Sequence, residues 1–180
     1  MQLFVLVLTF FRILAAPFIL ISVIFLENYW FTFWLFNLAA LTDYFDGKLA
    51  RTFKVESRLG AILDPIGDKL LLLFALIAII DFTQDNYVSI MASFLLAREF
   101  WISALREYSS AFNIINSTAV TFIAKTKTAF QFLAISVYFF GAATDLAIIN
   151  FLANFLLLVS VFLSYKSAID YTEKTFKIKQ

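Results

Sequence analysis

Six long apolar runs, separated by short polar breaks, organise this chain. They lie near residues 3–26, 30–50, 61–80, 87–108, 128–143 and 146–169. Most have about the 20 residues that an α-helix needs to cross the hydrocarbon core of a bilayer, and the fifth is the shortest. The breaks fall at 27–28, 52–58, 81–86, 109–127 and 144–145. This pattern predicts an all-α, polytopic membrane protein with six transmembrane helices. No Pro/Gly/Ser linker, repeat or low-complexity tract interrupts it, so residues 1–180 are read as one domain. The first run has no basic residue ahead of it and continues to about residue 26, too long for the core of a signal peptide. It is read as an uncleaved first span.

Composition agrees with that class. The 180 residues are 62% hydrophobic and 19% aromatic, with only 15% charged, and mean hydropathy is +0.88. Net charge is +1, so bulk charge gives no reason to expect a nucleic-acid partner. The distribution of charge is more informative. With six spans, all 14 Lys and Arg fall on one side or in the adjoining helix halves, whereas the opposite breaks carry Glu27, Asp81, Asp85 and Asp145. The excess of basic residues places both termini and the 52–58 connection on the cytoplasmic side. The 24 Phe are read as lipid-facing and packing bulk, and Trp30, Trp34 and Trp101 are assigned no chemistry. The tail after residue 170 is expected to continue the last helix along the anionic leaflet through Lys174, Lys177 and Lys179.

Candidate chemistry concentrates in residues 43–68. Asp43 and Asp46 are spaced i, i+3, and Asp64 and Asp68 are spaced i, i+4, so each pair lies along one helix face. The short 52–59 connection returns the chain and is expected to bring the pairs together at the cytoplasmic end of helices 2 and 3. Read singly, each Asp could be an interfacial residue paired with Lys48, Arg51 or Lys69. Four together at helical spacing point to a shared role, because clustered carboxylates raise one another's pKa unless cations offset them. Oxygen ligands suit a hard ion such as Mg2+ or Mn2+, and the absence of His and Cys argues against zinc or copper. Gly47, Ala50 and Gly60 leave room for a ligand or a neighbouring helix near the backbone. Arg51 stands eight residues after Asp43, close to the same face, where it could clamp phosphate or simply anchor the helix.

The spacing Asp43-x-x-Asp46-Gly47-x-x-Ala50-Arg51, eight residues, Gly60-x-x-x-Asp64-x-x-x-Asp68 resembles the full signature of the CDP-alcohol phosphatidyltransferase family. The resemblance implies six transmembrane helices and a homodimer. It implies two divalent cations, Mg2+ or Mn2+, held by Asp43, Asp46, Asp64 and Asp68 on the pyrophosphate of a CDP-linked lipid. Gly47 and Ala50, with Gly60, would then face the nucleotide, Arg51 would contact its phosphates, and Asp68 would take the proton of the acceptor alcohol. An unactivated hydroxyl needs such a base, and the cations would neutralise charge on the departing CMP.

Two further stretches bear on the acceptor. Arg98-Glu99-Phe-Trp-Ile-Ser103-Ala-Leu-Arg106-Glu107 ends the fourth span, with Arg98 and Arg106 roughly on one face. The local alternative is that they pair with Glu99 or Glu107. Lys125-Thr126-Lys127-Thr128 opens the fifth helix, where the macrodipole disfavours cations, so a bound anion or the lipid surface explains them better. Arg98, Arg106, Lys125 and Lys127 are candidates for an acceptor's phosphate. These stretches, Gln131, Thr9-Phe-Phe-Arg12 with Pro17, and Asp64-Pro65-Ile-Gly67-Asp68-Lys69 resemble the phosphatidylglycerophosphate synthase branch. Gly67 stands where Ala is expected, a change read as slightly loosening the helix. The resemblance covers nearly the whole chain except its N-terminus and the 109–124 loop. It implies CDP-diacylglycerol as donor, sn-glycerol 3-phosphate as acceptor and a bacterial inner membrane. Rival readings are the same chemistry on phosphatidylglycerol, inositol phosphate or serine, and, from a different class, an ion-coupled transporter. The transporter leaves Gly47, Ala50 and Arg51 without a common explanation.

Overall fold

The computed structural model describes residues 2–53, 58–112 and 122–177, with the backbone alone at 2–5, 43–53, 58, 61, 122–125 and 177. Six helices account for nearly all of it: α1 (Gln2–Ile24), α2 (Tyr29–Phe53), α3 (Arg58–Thr83), α4 (Asn86–Ala111), α5 (Phe122–Thr144) and α6 (Ala147–Lys177). They match the six apolar runs, with two differences at the ends. Helix α5 begins before its apolar run, taking in Lys125 and Lys127, and α6 continues past the apolar limit to Lys177. Both extensions are polar, so hydropathy alone does not register them. Among the described residues, α1, α4 and α6 contain stretches long and apolar enough to cross a membrane.

The three turns α1–α2, α3–α4 and α5–α6 are tight. Each contains a residue in the left-handed region: Glu27 at φ 46°, Gln84 at φ 50° and Asp145 at φ 55°. A left-handed residue ends a helix within a few positions, which is why two-residue connections suffice at 84–85 and 145–146. Asp85 then caps α4, its side chain accepting from the Tyr87 backbone N–H at 2.8 Å.

The helices form a ring. α1 packs on α3, α3 on α4, α4 on α6, α6 on α5, α5 on α2, and α2 back on α1. Contact between α2 and α3 themselves is slight, and α1 lies against both. Ala15, Ala16, Ala39, Ala75, Ala78, Ala92, Ala134 and Ala153 are buried at the interior faces, where small side chains let apolar helices approach closely. Aromatic pairs add specific packing, as between Phe36 and Phe139 and between Tyr29 and Phe82.

The surface is inverted relative to a water-soluble bundle. On α1, Phe10, Leu14, Phe18 and Ile21 form an exposed stripe, whereas Thr9, Arg12 and Ser22 are fully buried. On α6, Ile148, Phe151, Phe155 and Phe162 face outward, and Ser160, Ser164 and Ser167 face in. Apolar side chains outward and polar ones inward are stable only against hydrocarbon, where each polar group must find its partner within the protein. This is an integral membrane protein.

Gly67 lies in the middle of α3, buried against α1. A Cβ placed there would sit 3.4 Å from Ile13 Cγ1 and 3.6 Å from Arg12 Cδ, both ordinary contacts. Replacing a helical Gly by Ala gains up to about 1 kcal/mol where the space exists. Gly67→Ala is therefore expected to raise the thermal midpoint in detergent modestly, and a lowered midpoint would contradict this packing.

Candidate active site

Two groups of buried polar side chains lie toward the end of the bundle where α3 and α5 begin and α4 and α6 finish. The first is built on α3. Asp64 and Asp68, one turn apart on one face, both meet α1: Thr9 Oγ1 donates to Asp64 Oδ1 at 2.6 Å, and Arg12 Nη1 donates to Asp68 Oδ1 at 2.6 Å. Arg12 is completely buried, whereas the Asp68 side chain is 42% exposed. The carboxylate therefore sits between a buried cation and an accessible surface. Asp43, Asp46, Gly47, Ala50 and Arg51 lie in the last turns of α2, the helix packed on the other flank of α1, but their side chains fall outside the described residues. Gly60 is buried in the first turn of α3.

The second group joins α4, α5 and α6. Glu99 is its hub, accepting from Arg98 Nη1 at 2.9 Å and forming a short ion pair with Lys127 Nζ. Arg98 is 5% exposed, and its Nε donates to the Ser164 carbonyl at 2.9 Å while Nη2 reaches Ser167 Oγ at 3.3 Å. The local pairing with Glu99 thus exists for Arg98. Lys127 joins it from another helix, so two of the four acceptor-phosphate candidates share one carboxylate. Arg106 is exposed on α4 yet close enough for its charge to be felt at both Arg98 and Lys127. The Lys125 side chain lies outside the described residues. Near these cations, Gln131 Nε2, Ser109 Oγ and Ser164 Oγ are buried without a hydrogen-bond partner among the described residues, an uncommon state for a native interior.

A mostly apolar groove of about 180 Å3 runs between α3 and α4 beside the second group. Lys69, next to Asp68, and Glu99 border it, with Ile66, Leu70, Leu96 and Phe100. Of the two groups only Glu99 lines it, because Asp64 and Asp68 lie on the face of α3 turned toward α1. Sequence reasoning did not reveal Glu99 as a hub, nor the contributions of Thr9, Ser164 and Ser167. For Ser164 and Ser167 a signal was present, since two serines at i, i+3 in a lipid-facing helix mark its inner face.

Comparison with known proteins bears on the chemistry. The family model for CDP-alcohol phosphatidyltransferase matches residues 5–165. The chain belongs to the CDP-alcohol phosphatidyltransferase family. Among curated members of this enzyme family, it is 39% identical over 143 residues to the CDP-diacylglycerol–glycerol-3-phosphate 3-phosphatidyltransferase of Cereibacter sphaeroides, a match covering 77% of this chain and 64% of that protein. It is also 39% identical over 132 residues to the enzymes of that name from Salmonella choleraesuis and Escherichia coli K12, covering 72% of each chain. The match thus spans slightly less than two thirds of the Cereibacter protein.

CDP-alcohol phosphatidyltransferases generally use divalent metal ions. The donor set on α3 fits such an ion: two carboxylates on one face, one of them accessible, with no His or Cys in the chain. Among the described residues no group of three or more acidic side chains is gathered, so a complete site would require the α2 pair.

Glu99→Gln tests the second group. Removing one charge from a buried pair typically costs about 3–5 kcal/mol, because its partner is left uncompensated. Glu99 is partly exposed, so a loss of at least about 2 kcal/mol is expected. The reading is the unfolding midpoint in detergent, and an unchanged midpoint would mean that Arg98 and Lys127 do not depend on Glu99.

Proposed function

We propose that this chain transfers the phosphatidyl group of CDP-diacylglycerol to sn-glycerol 3-phosphate, giving phosphatidylglycerophosphate and CMP. The observation that carries this reading is the pair of carboxylates fixed on one face of α3, Asp64 by Thr9 and Asp68 by Arg12, toward the same end of the bundle as the cations gathered on Glu99. Family membership and the names of the relatives support the same donor and acceptor.

In this reading six helices span a bacterial inner membrane as one domain, in a homodimer. Both termini and the site face the cytoplasm, as the placement of the basic residues favours. Asp43, Asp46, Asp64 and Asp68 hold two divalent cations, Mg2+ or Mn2+, which when bound neutralise charge developing on the departing phosphate. Gly47, Ala50 and Gly60 admit the cytidine nucleotide close to the backbone, and Arg51 contacts its phosphates. Arg98, Arg106, Lys125 and Lys127 draw in the acceptor's phosphate, with Glu99 spacing two of them, and hold its hydroxyl near Asp68. The hydroxyl oxygen forms a bond to the lipid-bearing phosphorus as the pyrophosphate P–O bond breaks, and Asp68 accepts the hydroxyl proton. Acyl chains remain in the bilayer throughout. Gln131 Nε2 and Ser164 Oγ, buried without a partner among the described residues, support a polar ligand among the cations.

The direct test is CMP release by the purified chain in mixed micelles of CDP-diacylglycerol with Mg2+. Glycerol 3-phosphate, serine, inositol phosphate and phosphatidylglycerol are offered separately. Release with glycerol 3-phosphate alone is expected. Release with another acceptor would keep the chemistry and discard the acceptor assignment, whereas ion flux without CMP release would favour the transporter. A second prediction concerns Arg106. Loss of one charge-assisted phosphate contact is worth about 1.5–3 kcal/mol, so Arg106→Ala should raise KM for glycerol 3-phosphate about tenfold or more. KM for CDP-diacylglycerol should change little, and equal effects on both would contradict the assignment.

A further inference from the structure

The proposed chemistry needs Asp64 and Asp68 in a fixed orientation, and α3 alone does not provide it. An aspartate on an accessible helix face has several rotamers within reach. The constraint comes from α1. Thr9 and Arg12 are one turn apart, as are Asp64 and Asp68, and the two hydrogen bonds of 2.6 Å join them turn for turn. Thr9 and Arg12 are both at 0% exposure, so neither trades its partner for water.

Gly67 completes the arrangement. It lies between the two aspartates, and a Cβ there would stand 3.6 Å from Arg12 Cδ and 3.9 Å from Arg12 Cβ. The aliphatic stem of Arg12 therefore crosses α3 over the bare backbone at Gly67 to reach Asp68. A methyl fits in that space, and a larger side chain would displace the stem. Each contact occupies one acceptor position on Oδ1. A carboxylate offers about four such positions, so neither of these two contacts by itself excludes a cation.

From this geometry we propose that Thr9 and Arg12 are positioning residues. From the first helix, they set the orientation of the second carboxylate pair toward a divalent cation. The proposal rests on the reading of Asp64 and Asp68 as metal-holding residues. A different role for Arg12, merely compensating a buried charge, would affect stability but not metal dependence.

The test uses the full chain in detergent with CDP-diacylglycerol present. It follows the thermal midpoint as Mg2+ is titrated, alongside the Mg2+ dependence of CMP release. Substitutions in such supporting residues typically cost about 10- to 100-fold in metal affinity or activity. Arg12→Met is expected to raise the Mg2+ concentration for half-maximal stabilisation about tenfold or more. Arg12→Lys, which keeps the charge but loses the planar fork, should recover part of that loss, and Thr9→Val should show a smaller shift in the same direction. At saturating Mg2+, KM for CDP-diacylglycerol should stay near the unsubstituted value in all three. Should Arg12→Met not fold, the near-isosteric Thr9→Val carries the test with the same two outcomes. An unchanged Mg2+ midpoint in folded Thr9→Val and Arg12→Lys would overturn the proposal. Thermal stabilisation does not depend on turnover. Failure of the reaction reading (no CMP with any acceptor) and failure of this proposal (no shift in the variants) are therefore read separately.

Discussion

A guanidinium that is fully buried in a helix facing hydrocarbon must have a partner within the protein, and for Arg12 that partner is Asp68. Transfer of an unpaired charge into such a setting is expensive by any scale, so this contact ties α1 to α3 in one rotational and axial register. The ring of helices follows from that pairing. Once α1 lies along α3 with Thr9 opposite Asp64, its other flank is left for α2, and the α2 carboxylates are carried to the same end of the bundle as those of α3. The first helix is thus the wedge between the two halves of the aspartate signature rather than a peripheral anchor.

The same rule organises the second polar group. Arg98 and Lys127 come from different helices and share Glu99, with the Ser164 carbonyl and Ser167 hydroxyl completing the coordination of Arg98. Mutual compensation lets three ionised groups remain in a low-dielectric setting. It also leaves cations concentrated toward the end of the bundle that carries the α3 carboxylates. In the proposed reading, the carboxylates would hold divalent cations and the gathered cations would take a phosphate, which together suit joining two phosphate-bearing molecules.

Much of this architecture was legible in the order of residues. The six apolar runs became six helices, because in a bilayer length and apolarity together decide where a helix can lie. Hydropathy alone does not report the polar ends, but the Lys125–Thr128 opening of α5 and the continuation of α6 past residue 170 were expected from the placement of their charges, and α5 and α6 include them. The grouping of Asp64 with Asp68 followed from helical spacing alone. Their partners did not, because Thr9 and Arg12 are more than 50 positions away and only the ring order makes α1 the neighbour of α3. A lone Arg in an apolar run announces that a partner exists, but not which one. The same holds for Glu99, whose local pairing with Arg98 was an open alternative and whose second partner, Lys127, depends on α5 lying close by. The structural meaning of Gly67 was also hidden, since a position read as loosening the helix is where the Arg12 stem crosses it.

The central claim is that two carboxylate pairs, from α2 and α3, jointly hold divalent cations at the reaction centre. Counting Mn2+ bound to the purified chain by electron paramagnetic resonance, with CDP-diacylglycerol present, tests it most directly. The account predicts two Mn2+ per chain, with binding lost when either Asp43 and Asp46 or Asp64 and Asp68 are changed to Asn. Absence of bound Mn2+ from folded, lipid-bound protein, or binding indifferent to both pairs, would contradict it.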